Sequence, residues 1–376
     1  MIGGGHAQLE VLRSLRASPL PDVEVMLISA GRYAAYTGMV PGYLAGRYRS
    51  GEIQFDLQSL ARAAGARFRD GVVTRVDALE RIVEVDGERI EFDACSLDVG
   101  SAPASVAGVG EHAVPLRPLS NARVLVQRVD AALERDDRAM CVVVGGGAAG
   151  VEVALALATR ARTRTRTRTR AQTSHSGTLD VTLVADSPCL LPGYAPAAQR
   201  YALDACARTG VRVRLGGRVR EVRSGSVTLE DGESLISAIT VWVAGAAPPS
   251  VIGQSALPRA ASGYFEVDRT LRATDGSPVW GAGDCITMHR APWVPKAGVY
   301  AVRQGPILAH NLRVAVTGIG APKRYTPQAG FLSLLSLGDG RAIAHWRGLA
   351  LQGAWAMRLK HRIDTAFMQR HRAVID

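Results

Sequence analysis

Residues 141–152 read Cys141-Val-Val-Val-Gly-Gly-Gly-Ala-Ala-Gly-Val-Glu152, an apolar run that leads directly into a glycine-rich turn and then into helix-favouring residues. The glycines in this turn follow the spacing G-x-G-x-x-G, at Gly145, Gly147 and Gly150. The first glycine permits a tight turn, the second lets the backbone approach a pyrophosphate, and the third lets the helix pack close to the strand. Because a helix N-terminus favours anions, this turn predicts a dinucleotide site. The plainer alternative is a tight turn without a ligand.

Two further segments have nucleotide-binding character. Gly3-Gly-Gly5-His-Ala-Gln8 opens the chain, and Gly281-Ala-Gly283-Asp284 follows much later. The first turn departs from the pattern, because Gln8 stands at the third glycine and only two residues precede the turn. A buried strand of about five residues is expected there, so the strand is predicted to be stunted unless the chain begins further upstream. Asp284 predicts a hydrogen bond to a ribityl hydroxyl, with an ordinary helix cap as the alternative.

The two halves of the chain repeat one order of elements: glycine turn, helix, strand, antiparallel meander, and a strand that ends in glycine. The meanders are predicted at 72–92 and 212–230, and a final hairpin at 331–346 precedes a helix. This repeat predicts an α/β fold with two Rossmann-like domains for FAD and NAD(P), inserted antiparallel meanders and a small α+β C-terminal segment. The predicted domains are an FAD-binding domain formed by 1–115 and 263–325, an NAD(P)-binding domain at 116–262, and a C-terminal segment at 326–376.

Composition excludes several classes of protein. At 376 residues and 47% hydrophobic, the chain can bury two or three cores. No apolar run reaches the roughly 18 residues of a membrane span, and the N-terminus lacks the order of a signal peptide, so a cytoplasmic location is predicted. Five scattered cysteines without a C-x-x-C pair argue against disulfides, a zinc site and a dithiol centre. No metal site is predicted.

The net charge of +11 includes six arginines in an alternating Arg-Thr tract between Arg160 and Arg170. Such a self-repelling, low-complexity run is predicted to be a disordered surface loop over 159–177. Without interleaved aromatic residues it gives no support to a nucleic-acid partner.

Four motifs carry a resemblance to a known family. They are Gly3-Gly-Gly-His-Ala7, Arg32-Tyr-Ala-Ala-Tyr-Thr-Gly-Met-Val-Pro-Gly42, Ser96-Leu-Asp-Val-Gly-Ser101 and Pro295-Lys-Ala-Gly-Val-Tyr-Ala-Val-Arg-Gln-Gly305. With them the chain resembles the FAD/NAD(P)-dependent pyridine nucleotide-disulfide oxidoreductases, in the type II NADH dehydrogenase-like branch often fused ahead of selenophosphate synthase. The similarity covers nearly the whole chain except the Arg-Thr tract.

The resemblance implies FAD and either NADH or NADPH as cofactors. It places at the FAD Gly3, Gly4, Gly5, Gly100, Gly283 and Asp284, with Pro41, Lys296 and Ala297 close to the isoalloxazine. It places at the nicotinamide nucleotide Gly145, Gly147, Gly150 and Gly245. The candidate catalytic residues are Glu152 and Lys296, although Glu152 could equally be a carboxylate that only balances the helix dipole. Asp186, after the next strand, either favours NADH over NADPH by binding a ribose or is a solvated turn residue.

The predicted function is therefore an FAD-dependent NAD(P)H oxidoreductase that passes hydride from nicotinamide to flavin and electrons to a small-molecule acceptor such as quinone. Ala297-Gly298 replaces the Ala-Gln pair of type II dehydrogenases and weakens the case for quinone, although Gln304 remains. The C-terminal segment from Trp355 to Arg362 could contact a membrane surface peripherally or pack on the flavin domain. The alternative function is a non-catalytic nucleotide-binding adaptor with a compromised FAD site.

Overall fold

A computed structural model of the protein describes residues 1–118, 120–135, 138–170 and 177–372, with 165–170 described by their backbone alone. Within these ranges the chain forms two larger parallel sheets, each accompanied by an antiparallel meander, and a C-terminal unit of three strands and a helix. Two further sheets have two strands each. This architecture confirms the predicted α/β fold class. The domain boundaries at 115, 262 and 325 stay a prediction.

The helices and strands follow one another along the chain. The N-terminal part contains α1 (His6–Ala17), β1 (Met26–Ser29), β2 (Tyr33–Ala35), α2 (Val40–Leu44), β3 (Gln54–Asp56), α3 (Leu57–Ala63), β4 (Arg67–Asp70), β5 (Val73–Asp77), β6 (Ile82–Val85), β7 (Glu88–Glu91) and β8 (Cys95–Leu97). The middle part contains α4 (Val109–His112), β9 (Ala113–Pro115), α5 (Asn121–Glu134), β10 (Arg138–Val144), α6 (Ala148–Arg170), β11 (Thr178–Val184), α7 (Pro196–Thr209), β12 (Arg212–Arg214), β13 (Val219–Arg223), β14 (Ser226–Leu229), β15 (Ser234–Ile236), β16 (Ile239–Trp242) and α8 (Ser250–Gln254). The C-terminal part contains β17 (Phe265–Val267), β18 (Val279–Gly281), β19 (Ile286–Met288), α9 (Gly298–Thr317), β20 (Ser333–Ser336), β21 (Ala342–Trp346), β22 (Leu349–Gly353) and α10 (Ala354–Arg370).

The N-terminal sheet has a central strand only about two residues long. Ile2 forms parallel bridges to Ile28 on β1 and to Leu97 on β8, while β4 and β18 pair at the two outer sides. The Ile2 N–H donates to the Ser96 carbonyl at 2.7 Å, and the Gly3 N–H donates to the Ile28 carbonyl at 2.8 Å. The predicted short strand is thus present, and its pairing on both sides holds the first glycine turn in place.

Gln8 explains how α1 tolerates the missing third glycine. Its side chain is fully buried, and its amide donates to the Ser96 carbonyl at 3.1 Å and to the Ser96 hydroxyl at 2.8 Å. The amide nitrogen of Gln8 thus ties α1 to β8, whereas its buried amide oxygen has no hydrogen-bond partner among the described residues.

The second sheet runs in the order β12-β11-β10-β16-β9, with every neighbouring pair parallel. The strand order reverses beside β10, so its carboxyl end is the edge where such sheets bind ligands. The prediction that 212–214 belong to the second meander is wrong, because β12 pairs in parallel with β11. That meander consists of β13, β14 and β15.

The structure of the Arg-Thr tract differs from the one predicted for it. The expected loop over 159–177 is wrong as far as Arg170, because α6 continues through it. Residues 171–176 lie outside the described part of the chain. Arg160 reaches both Asp130 carboxylate oxygens, at 2.7 and 2.6 Å, and Arg164 reaches one of them at 2.6 Å. Since Arg160 also donates to the Leu44 carbonyl at the end of α2, it joins α2, α5 and α6.

The C-terminal unit places α10 against the N-terminal residues. Strands β20, β21 and β22 form an antiparallel sheet, and α10 buries one face that includes Met357, Lys360 and Asp364. No helix among the described residues is both long and apolar enough to cross a bilayer.

Candidate active site

The glycine turn between β10 and α6 has the geometry of an anion site. A Cβ atom on Gly150 would lie 1.7 Å from the Gly145 carbonyl oxygen, so the third glycine is required for the helix to approach the turn. A Cβ atom on Gly147 would meet nothing within 4 Å, which leaves this position open to a ligand. The backbone N–H groups of 146–149 have no acceptor among the described residues. Their hydrogen-bonding capacity suits a pyrophosphate.

Asp186 and Gly245 lie at the same edge of the second sheet. Asp186 is exposed and follows Ala185, whose Cβ lies 2.4 Å from where a Cβ on Gly146 would stand. Gly245 follows β16 in the left-handed region, with φ of +64°. Both positions are next to residues that contact the glycine turn, and their role in binding a nucleotide stays a prediction.

The first glycine turn is shaped largely by its protein neighbours. A Cβ on Gly3 would lie 2.3 Å from the Asp98 carbonyl oxygen, and one on Gly4 would lie 2.5 Å from a Leu57 methyl. The N–H groups of Gly4 and His6 nevertheless have no acceptor among the described residues. These two donors at the N-terminus of α1 fit one pyrophosphate of a dinucleotide. Gly100, with φ of +72°, has open space on its side-chain face.

Asp284 and Lys296 lie together near this turn. Burial raises the pKa of Asp284, while the Arg117 guanidinium 3.6 Å away opposes that shift. The Lys296 ammonium donates to the Ile286 carbonyl and lies 3.8 Å from the centre of the Tyr264 ring. Lys296 is thus anchored beside Asp284.

A cavity of about 140 Å³ separates the N-terminal and middle parts of the chain. Thr37 and Pro41 line one side, and Glu152 and Gly245 line the other. Arg117, Leu116, Trp242 and Val243 complete much of the wall. The structure therefore brings Pro41, Glu152 and Gly245 together, whereas Lys296 and Ala297 do not line this cavity.

Glu152 is a partly buried residue whose carboxyl lies at the edge of the cavity. It accepts a hydrogen bond from the Ser336 N–H at 2.7 Å. Burial raises its pKa to about 7, against the opposing influence of the Lys360 ammonium. The carboxyl can therefore change charge near neutral pH, which is the range in which acid–base groups of enzymes operate.

A buried ion pair beside Glu152 was not anticipated from the sequence. The Lys360 ammonium donates to the Gly38 carbonyl at 2.7 Å and to the Asp364 carboxylate at 3.0 Å, and the Tyr36 hydroxyl donates to the same carboxylate at 3.2 Å. The sequence did contain a signal for this pair: Lys360 and Asp364 lie four residues apart on a helix face that is otherwise apolar. Asp98, Thr37, Arg117 and Trp242 were also missed.

The cysteines take no part in this arrangement. Burial raises the pKa of the Cys285 thiol to about 12, so it stays protonated beside Asp284. This agrees with the absence of a paired dithiol in the sequence.

These features combine two glycine turns, each at the N-terminus of a helix, with a cavity between the N-terminal and middle parts of the chain. The sequence profile of the pyridine nucleotide-disulphide oxidoreductase family matches residues 1–311, and the chain belongs to this family. The predicted resemblance is confirmed. FAD and a pyridine nucleotide are the cofactors of the family, and the prediction of an oxidoreductase is confirmed with it.

Relatives of known activity are similar over most of the chain. A type II NADH:quinone oxidoreductase of Staphylococcus saprophyticus is 22% identical, covering 97% of this chain and 93% of the relative. An internal alternative NAD(P)H-ubiquinone oxidoreductase A1 of Solanum tuberosum is 26% identical, covering 66% and 51%.

Solved structures share the fold. The sulfide:quinone oxidoreductase of Aquifex aeolicus matches with a TM-score of 0.79 at 18% identity, covering 100% of this chain and 92% of the other. NDH2 of Plasmodium falciparum in complex with NADH also matches with a TM-score of 0.79, at 15% identity, covering 98% and 97%.

Proposed function

We propose that the chain oxidises NADH and passes the electrons through FAD to a quinone. The observation that carries this proposal is the cavity between Thr37 and Pro41 on one side and Glu152 and Gly245 on the other. Ala149, at the end of the second glycine turn, lines the cavity, and Thr37 on the other side lies 3.4 Å from the His6 ring at the start of α1. The similarity to NADH:quinone oxidoreductases over nearly the whole chain supports the acceptor.

In this proposal the residues of the chain bind the two cofactors, orient them and supply charge. The Gly4 and His6 N–H groups and Asp284 would hold FAD, and the N–H groups of 146–149 would hold the nucleotide diphosphate. The chemistry that FAD supplies when bound is acceptance of a hydride and release of electrons. Asp186 disfavours the extra 2′-phosphate of NADPH, because like charges repel.

Glu152 stabilises the positive charge that the nicotinamide ring gains when it loses hydride. An ionised, partly buried carboxylate at the wall of the cavity does this with less solvent screening than a carboxylate in bulk water. We therefore expect the rate of flavin reduction by NADH to rise with pH through about 7, where the pKa of Glu152 lies.

Glu152→Gln is expected to slow flavin reduction at least about tenfold above pH 7 and to remove this pH dependence. Stopped-flow absorbance at several pH values measures both effects. Folding raises the pKa of Glu152 from 4.5 to about 7, so its ionisation costs stability, and this cost grows as pH rises between those values. The variant should therefore unfold no earlier than the unmodified protein at pH 8. An unchanged pH profile would refute the role of Glu152.

A quinone in a bilayer requires a membrane-facing surface, and we assign it to the hairpin patch, defined as Trp346, Leu349 and Leu351. These side chains are 50%, 73% and 61% exposed, and they share one face of β21 and β22. The following helix α10 exposes Trp355 and Ile363, and Arg358 and Arg362 are exposed on it as well. Aromatic and aliphatic residues with arginines between them suit an anionic lipid interface.

The double variant Leu349→Ser and Leu351→Ser is expected to lose at least about tenfold in affinity for phosphatidylglycerol vesicles, because two apolar side chains no longer enter the interface. Vesicle co-sedimentation measures this loss. Leu79→Ser is the matched control, because Leu79 is 86% exposed on the β5–β6 turn. Equal binding of the double variant and the control would contradict the assigned surface.

The acceptor is tested by steady-state NADH oxidation with a water-soluble ubiquinone analogue, with oxygen alone and with ferricyanide. We expect quinone reduction to exceed the rate with oxygen alone, and NADH to exceed NADPH in kcat/KM. Rapid reduction of ferricyanide without reduction of the quinone would reject quinone while leaving the NADH half of the proposal intact.

A further inference from the structure

Asp98 occupies the centre of the predicted flavin cradle. It follows β8 and is only 3% exposed. Its Oδ2 atom accepts hydrogen bonds from the Ala7 N–H at 2.8 Å and the Gln8 N–H at 3.4 Å. The carboxyl thus caps α1 from a distant strand, because Gly5 at the N-cap position has no side chain to do so.

Two glycines that the sequence assigns to the cofactor make room for this carboxyl. A Cβ on Gly5 would lie 2.1 Å from the Asp98 carboxyl carbon, and a Cβ on Gly283 would lie 2.4 Å from its Oδ1. The Gly283 turn is fixed by its own N–H, which donates to the Gln304 side chain at 2.7 Å. Asp98 therefore lies between α1 and the turn that carries Asp284.

At this position an ionised Asp98 would lie close to a bound pyrophosphate, which is also an anion. Gly4 and His6 offer their free N–H groups at the same helix end whose next two donors, Ala7 and Gln8, already bind Asp98. A pyrophosphate at Gly4 and His6 would approach an ionised Asp98 that is itself shielded from solvent, so that water would screen the repulsion only weakly. A neutral carboxylic acid removes this repulsion and leaves the helix dipole to act on the pyrophosphate.

We propose that binding of the FAD pyrophosphate at α1 is linked to the uptake of one proton by Asp98. The proton comes from solvent and stays on the buried carboxyl while FAD is bound. Asp98 is thus a positioning and specificity residue of the flavin site, and the inference rests on FAD binding and not on the identity of the electron acceptor.

The surroundings make Asp98 a titrating group of this cradle near neutral pH. Burial raises its pKa to about 7, the N–H donors oppose this shift, and the Asp284 charge adds to it. Burial lowers the pKa of His6 to about 4 and raises that of Cys285 to about 12, so both stay neutral. Among the described residues, the titratable and charged groups that act on Asp98 directly or through Asp284 are Asp284, Cys285, Arg117 and Lys296.

The first test measures FAD affinity of the full-length, flavin-free chain by fluorescence quenching between pH 6 and 8. One linked proton with a pKa near 7 predicts a Kd about tenfold higher at pH 8 than at pH 6. Asp98→Asn, which keeps the size and an acceptor oxygen, is expected to give a Kd that does not change with pH. Glu88→Gln is the matched control, because this carboxylate is 70% exposed on β7 and should leave the tenfold change intact.

Calorimetry on the unmodified chain tests the proposal even if Asp98→Asn fails to fold. FAD titrations at pH 8 in buffers of different ionisation enthalpy are expected to give uptake of about one proton per FAD. A pH-independent Kd, or no proton uptake, would overturn the proposal alone. Absence of FAD binding at every pH would instead overturn the flavin assignment as a whole, so the two failures are distinguishable.

Discussion

Lys360→Met is expected to lower the free energy of unfolding by about 3–5 kcal/mol, because it leaves a buried carboxylate without its partner. Lys360 and Asp364 are 8% and 5% exposed, and Lys360 also holds the Gly38 carbonyl. Urea denaturation followed by circular dichroism measures the loss. The midpoint of the unfolding transition should shift to a lower urea concentration.

A double variant separates the cost of an unpaired charge from the value of the pair. Lys360→Met combined with Asp364→Leu is expected to recover most of the loss, because well-packed apolar residues often replace a buried ion pair at little cost. The account would fail if the single variant unfolded within about 1 kcal/mol of the unmodified protein. It would also fail if the double variant were less stable than the single one.

Gly147→Glu is expected to raise the Kd for NADH at least about 100-fold, which corresponds to about 2.7 kcal/mol. The space beside Gly147 is open, so the new side chain enters the region of the nucleotide diphosphate without disturbing the fold. Its carboxylate then repels the diphosphate. Equilibrium titration with NADH measures the effect.

Gly51→Glu provides the matched control for this change. A Cβ on Gly51 also meets nothing within 4 Å, and the residue is exposed on the surface away from the cavity. Both variants should keep the thermal stability and flavin content of the unmodified protein. Equal NADH affinity in the two variants would remove the 145–150 turn from the nucleotide site.

Local signals in the sequence predicted most of the fold. Strand β10, the turn at Gly145 and the start of α6 follow from an apolar run, glycine spacing and helix periodicity, all within about 20 residues. The first meander and the C-terminal hairpin follow from alternation and turn residues. In each of these cases the residues that form an element also carry its signal.

The Arg-Thr tract shows why composition alone predicted the wrong structure there. The free energy of helix nucleation opposes only the first turn, and the largely buried run from Val151 to Ala158 already nucleates α6. Extension then costs little, because arginine is a good helix former. Asp130, which comes from another helix, forms ion pairs with both Arg160 and Arg164. That partner is distant in sequence, so the tract itself carries no sign of it.

The site was predicted where it depends on backbone turns and missed where it depends on distant side chains. Pro41, Glu152 and Gly245 do meet at the cavity. Asp98 contacts α1 about 90 residues away in sequence, and Lys360 contacts Gly38 across more than 300. In the sequence, the only signal for Asp98 and Lys360 was that each is a charged residue among apolar ones. Lys296 binds the Ile286 carbonyl instead of lining the cavity, so its catalytic role stays a prediction.

Anaerobic addition of NADH to the flavin-loaded, full-length protein tests the central claim, that the two dinucleotide sites open onto one cavity across which hydride passes. We expect the visible flavin absorbance to bleach stoichiometrically, and Gly147→Glu to suppress bleaching at the same NADH concentration. Flavin that stays oxidised with NADH, yet is reduced by dithionite, would contradict the account.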